Sequence, residues 1–107
     1  MYAIQITLTT ANTAYSLLAL LQEVDPAVPG ECAELTLEAN AANAAGSLVS
    51  VGDLHIATDR YGYQLGPGDA KVYSSRGNRN FGSSVPLADI WLTPSANGLK
   101  MNVEVLR

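Results

Sequence analysis

The chain has one cysteine, one histidine, one phenylalanine and one tryptophan among its 107 residues. Each scarcity removes a class of protein. Cys32 alone excludes an internal disulfide and a cysteine metal cluster. His55 alone leaves too few imidazoles for an ordinary zinc centre. No apolar run approaches the roughly 20 residues that span a bilayer as a helix. Met1 leads directly into a strand pattern, without a basic and apolar leader or a cleavage site. The expectation is a soluble protein made in a cytosol, without a membrane partner or a cofactor. Charged residues make up 15 % of the chain, against about 25 % in average domains. Much of the surface is therefore Ser, Thr, Asn, Gly and Ala, a composition that suits a protein partner.

Lys and Arg are missing altogether from residues 1–59, which carry seven acids, whereas residues 60–107 carry six bases and three acids. The halves sum to −7 and +3, for a net charge of −4. Two arrangements fit. Strands from the two halves can interleave and mix the charge, or the subunit can be dipolar, its acidic face meeting a neighbour's basic face and steering association. An isoelectric point near 4.6 argues against a large basic footprint, so nucleic acid is not an expected partner.

The length fits one domain, 1–107, that buries about 60 to 70 % of its unfolded surface. Tyr2, Ile4, Ile6 and Leu8 alternate with Ala3, Gln5 and Thr7, as do Ala33, Leu35, Leu37 and Ala39 with Glu34, Thr36 and Glu38, and Leu99, Met101, Val103 and Val105 with Lys100, Asn102 and Glu104. This period of two predicts strands with one buried face. Ala14, Leu17, Leu18, Leu21 and Val24 form one helical stripe, predicting a helix from about Thr13 to Val24, capped by Asn12 or Thr13 and stopped at Asp25-Pro26. Asn40 to Gly46 reads as a hairpin loop leading to a strand ending at Val51, and Leu87 to Thr93 as a strand. Val49 to Tyr73 is the organising stretch: a strand stopped by Gly52-Asp53, then Gly66-Pro67-Gly68-Asp69 as a type II turn with positive φ at Gly68, then a strand from Ala70 to Ser74. Six or seven short strands without βαβ alternation predict an all-β fold. It is a small antiparallel β-sandwich or jelly-roll-like barrel with one short helix near the N-terminus.

Candidate chemistry is thin. Asp53 and Asp59 lie near His55 in sequence, the one arrangement resembling an acid–base pair. Cys32 sits in no nucleophile motif, and LGPGD lacks the Lys and Ser or Thr of a phosphate loop. The expectation is a protein that is not an enzyme. Tyr61, Tyr63, Tyr73 and Trp91 could line a sugar-binding surface, although such aromatics more often serve core and edges. Ser74 to Ser84, SSRGNRNFGSS, reads as a long exposed loop whose Arg76, Arg79 and Phe81 form the candidate interface.

Three stretches carry a family resemblance: the opening strand with the Thr10 to Leu21 helix, VSVGD followed by YGYQLGPGD, and VPLADIWL before a final NVEVL. Together they resemble small virion structural proteins of tailed bacteriophages, the capsid decoration or cement proteins. The resemblance implies a β-sandwich or jelly roll without catalytic residues. It also implies a homo-oligomer, often a trimer, that binds the major capsid protein or other virion subunits and strengthens the shell, in a virion assembled in the host cytoplasm. A tail or head-tail accessory subunit, or a carbohydrate-binding module of a receptor-binding complex, is the alternative.

Overall fold

The computed structural model describes residues 1–53, 56, 61–74 and 84–107. Among the described residues run ten strands: β1 (Tyr2–Leu8), β2 (Tyr15–Ser16), β3 (Glu31–Cys32), β4 (Glu34–Ala39), β5 (Val49–Gly52), β6 (Tyr63–Leu65), β7 (Ala70–Ser74), β8 (Val85–Pro86), β9 (Trp91–Pro94) and β10 (Leu99–Leu106). One helix, α1 (Leu17–Val24), follows β2, and a 3-10 turn (Leu87–Asp89) precedes β9. All strand pairs are antiparallel, and five of them obey one rule: β1 meets β10, β2 meets β9, β3 meets β8, β4 meets β7 and β5 meets β6. The chain is thus a single long hairpin ribbon with its tip between β5 and β6. Two further pairings, β10 with β4 and β5 with β9, roll the ribbon up. The products are two four-stranded sheets, β1-β10-β4-β7 and β2-β9-β5-β6, with β3-β8 as a small appendage. That order is a jelly roll, which is the all-β fold the alternating patterns predict.

Rolling is driven by what the alternation places on the inner faces. Leu99, Met101, Val103 and Val105 of β10 are buried, as are Leu35, Leu37 and Ala39 of β4, Val49 and Val51 of β5 and Leu92 of β9. Residues of both sheets belong to one hydrophobic cluster. Each Val or Leu so enclosed contributes about 1.5 to 3 kcal/mol relative to exposure. The alternate residues carry the outer polarity. Across the first sheet Gln5 Nε2 donates to Asn102 Oδ1 (3.1 Å) and Asn102 Nδ2 to Glu38 Oε1 (3.0 Å), a row that ties β1, β10 and β4 on their solvent side.

One end of the sandwich is held by its turns. Gly98 N–H donates to Leu8 C=O (2.9 Å), Asn12 N–H to Pro94 C=O (2.8 Å) and Ser95 N–H to Leu48 C=O (2.9 Å). The Asn43 side chain accepts from Lys100 N–H and donates to Lys100 C=O, both at 3.0 Å, supplying the bond pair that a longer neighbouring strand would make. At the Gly66 to Asp69 turn, Asp69 N–H donates to Gly66 C=O (2.9 Å) and Gly68 has φ +85°, the type II geometry expected.

The structure corrects several expectations. The helix begins at Leu17, not Thr13, and its N-cap is Ser16, whose Oγ accepts from Ala19 N–H at 3.4 Å. Tyr15 and Ser16 are taken into β2 by pairing with Leu92 and Trp91, so tertiary pairing overrides helical propensity there. Asn12 is instead left-handed, at φ +57°, and Val24 is 59 % exposed, off the buried stripe. The helix stops at Val24, as expected from Asp25-Pro26. Asn40 to Gly46 is not a hairpin loop, because β4 and β5 lie in different sheets. Leu87 to Thr93 is a 3-10 turn followed by β9, and Tyr63–Leu65 is a strand that no sequence pattern announced.

The strand order bears on the first of the two charge arrangements. Among the described residues all seven pairings join a strand from β1–β5 to one from β6–β10. Within each four-stranded sheet the strands of the two halves of the sequence therefore alternate among the described residues.

Leu21 is fully enclosed while Leu18 packs at the periphery of the core. Leu21→Ala should cost about 2 to 5 kcal/mol, the usual range for a core truncation, and Leu18→Ala clearly less, as read by denaturant melts. Equal losses would mean that α1 presents a different face.

Candidate interaction surface

A sandwich has two open sides, where the edge strands of its sheets face each other. On one side α1 packs beside β1, and Tyr2 Oη donates to Ala27 C=O just beyond the helix (3.1 Å), so the first strand's edge is partly covered. On the other side run β6 and β7. Register places Lys71 opposite Leu37, Tyr73 opposite Leu35 and Tyr63 opposite Val51. Because Leu35, Leu37 and Val51 are core residues, the three side chains leave their strands on the inner faces and meet in the gap between the sheets. Lys71 Nζ lies 4.0 Å from the Tyr63 ring centroid and 5.3 Å from that of Tyr73. A cation over a tyrosine face contributes about 0.5 to 1 kcal/mol at an exposed site, and here it links β7 of one sheet to β6 of the other. A lysine turned inward on an edge strand also opposes the addition of a further strand.

This side also exposes large apolar and aromatic side chains: Tyr61 (46 %), Tyr63 itself (47 %) and, on the outer face of β7, Val72 (51 %). Gly52, Asp53, Tyr61 and Gly62 line a hollow of about 270 Å³. Burial pushes the Tyr73 phenol above the ordinary range, and its neighbour Tyr63 adds to the shift. Tyr15, on the opposite side of the molecule, moves the other way because hydrogen bonds from Thr10 and Thr9 favour its phenolate.

The candidates from sequence fare differently. Arg76, Arg79 and Phe81 lie outside the described residues, as do His55 and Asp59. Ser74 ends β7, and Ser84 precedes β8. Tyr61, Tyr63 and Tyr73 are brought together along the β6/β7 side, whereas Trp91 stands on β9, next to β2. Cys32 is buried, and burial raises its thiol above the usual range, opposite to what an activated nucleophile requires. Among the described residues no group of three or more His, Cys, Asp or Glu is placed to hold a metal, and no helix is long and apolar enough to cross a membrane. Lys71 escaped the sequence reading. Its signal is a basic residue at an inward position of the alternating run Ala70 to Ser74, visible only once the register is known.

No family model, curated protein or solved structure matches the chain. The functional reading therefore rests on sequence and geometry alone.

If Lys71 guards the β7 edge, Lys71→Val should promote self-association, seen as a heavier species in sedimentation velocity at concentrations where the wild type is unchanged. An unaltered profile would assign edge protection to another group. A spectrophotometric tyrosine titration should show an early component lost in Tyr15→Phe and a late component lost in Tyr73→Phe. Because the Tyr73 value is raised on folding, its contribution to stability is complete below the ordinary phenol range near about 10 and declines as pH climbs through the raised value.

Proposed function

We propose that this protein is a non-enzymatic capsid decoration protein of a tailed-phage particle, binding the assembled shell through the β6/β7 side. The observation that carries the reading is the exposure of Tyr61, Tyr63 and Val72 on the β6/β7 side, continuous in sequence with the stretch that holds Arg76, Arg79 and Phe81. Aromatic side chains beside arginines are the residue types that dominate protein interfaces. A shell repeats the same contact many times, so a modest individual contact suffices to reinforce it. The jelly roll adds an analogy at the level of fold, since it is a recurrent architecture of capsid proteins. Homo-oligomers, trimers among them, would form through sheet faces or loops, because Lys71 disfavours growth through the β7 edge.

The test is occupancy on particles depleted of this protein. Wild type should restore a stoichiometric layer, visible by electron cryo-microscopy. A Tyr63→Ala, Val72→Asp variant and an Arg76→Ala, Arg79→Ala, Phe81→Ala variant, each with an unchanged melt, should fall at least about tenfold in affinity, the equivalent of about 1.4 kcal/mol. Occupancy should also decline as salt rises, since exposed charge contacts are screened beyond about 10 Å at 0.1 M. Full occupancy by both variants would remove this side from the interface, and absence of the protein from purified particles would overturn the reading.

A further inference from the structure

The side of the sandwich away from the proposed shell contact has a groove of its own. Its lining comes from four elements: Ala19, Leu20 and Glu23 of α1 with its N-cap Ser16, Thr7 at the end of β1 with Thr9 just beyond it, Tyr15 of β2 and Trp91 of β9. The helical residues recur at the spacing of one face, distinct from the face of Leu17 and Leu21 that enters the core. The groove encloses about 460 Å³, within the roughly 300 to 1,000 Å³ typical of small-molecule sites. It is a built surface. Tyr15 Oη is held between Thr9 Oγ1 (3.0 Å) and Thr10 N–H (2.9 Å), which fixes the ring, and Trp91 is anchored in β9 opposite Ser16.

We infer that this groove binds a neutral oligosaccharide. The half-buried Trp91 offers an aromatic face, and the C–H edges of a pyranose, which carry partial positive charge, are attracted to the negative face of an indole. Thr7 and Thr9 supply hydroxyls that can both donate and accept. Glu23 is exposed and has no partner within the chain among the described residues, so its carboxylate is available to accept sugar hydroxyls through charge-assisted bonds. No Lys or Arg lines the groove among the described residues. With a carboxylate at its rim and no counter-cation, it rejects phosphates, nucleic acid and acidic sugars. This assignment is independent of the proposed shell contact, which lies on the opposite side of the sandwich.

Trp91 is the chain's one tryptophan and lines the groove, so its emission reports on occupancy there. The experiment titrates the full chain with cellotriose, maltotriose, chitotriose and mannotriose while following tryptophan fluorescence, and repeats each titration by ligand-observed NMR. At least one trisaccharide should give a saturable change at millimolar concentration. Glu23→Gln and, separately, Ala19→Arg, which fills the groove from an exposed helical position, should each weaken that binding at least tenfold without moving the melting temperature. Shell occupancy should be untouched by either variant. Absence of a saturable response to all four sugars, or a response unchanged in both variants, would overturn the assignment. So would a groove that responds instead to a peptide and to no sugar.

Discussion

The pairings of β10 with β4 and of β5 with β9 are the constraint on which the rest of the molecule depends. Without them the chain is a two-stranded ribbon with one apolar face open to water; with them each inner face finds another. β10 occupies the critical place. Val103 faces Ile4 on one side and Leu37 on the other, so a single-residue slip along either edge would turn Met101, Val103 and Val105 toward solvent. The apolar alternation of this last strand thus specifies the register of the whole first sheet.

Interleaving follows from the same rule, and it governs the surface. Since each first-half strand is hydrogen-bonded only to strands of the second half among the described residues, Glu34 and Glu38 of β4 lie between β10, which carries Lys100, and β7, which carries Lys71. What the rolled ribbon leaves distinctive is therefore its two open sides. They are closed by different chemistry: on one, a short helix with a groove beside it; on the other, a lysine lying across the faces of two tyrosines. The side closed by Lys71 leaves aromatic and aliphatic surface outward, and the side closed by α1 leaves hydroxyls, a carboxylate and an indole. A protein partner and a saccharide are the occupants that these two surfaces respectively favour.

Much of the fold was legible in the sequence, because a period of two reports which face is buried. β1, β4 and β10 were readable from Ile6 and Leu8, from Leu35 and Leu37, and from Leu99 through Val105. Gly68 was readable because the turn needs positive φ at that position. Periodicity is silent on which sheet a strand joins, so the turn at Asn40 to Gly46 reads as a hairpin although β4 and β5 lie in different sheets. Tyr63–Leu65 is too short to show a period, and Tyr15 and Ser16 fit the helical pattern in sequence because nothing local reveals their pairing with Leu92 and Trp91. The tyrosine cluster was half visible: its members could be named, but their convergence on Lys71 depends on register across two sheets. Arg76, Arg79 and Phe81 stand as a sequence proposal that the described residues do not reach.

The account stands or falls on the rolled ribbon, and cross-strand NMR contacts test it most directly. Ribbon and jelly roll share the contacts of β1 with β10 and of β5 with β6. Only the jelly roll adds contacts between Val103 and Leu37 and between Val51 and Leu92. Nuclear Overhauser effects across both sets of strands are the predicted result. The ribbon contacts alone, with no signal between β10 and β4 or between β5 and β9, would contradict the fold and with it the surfaces built on it.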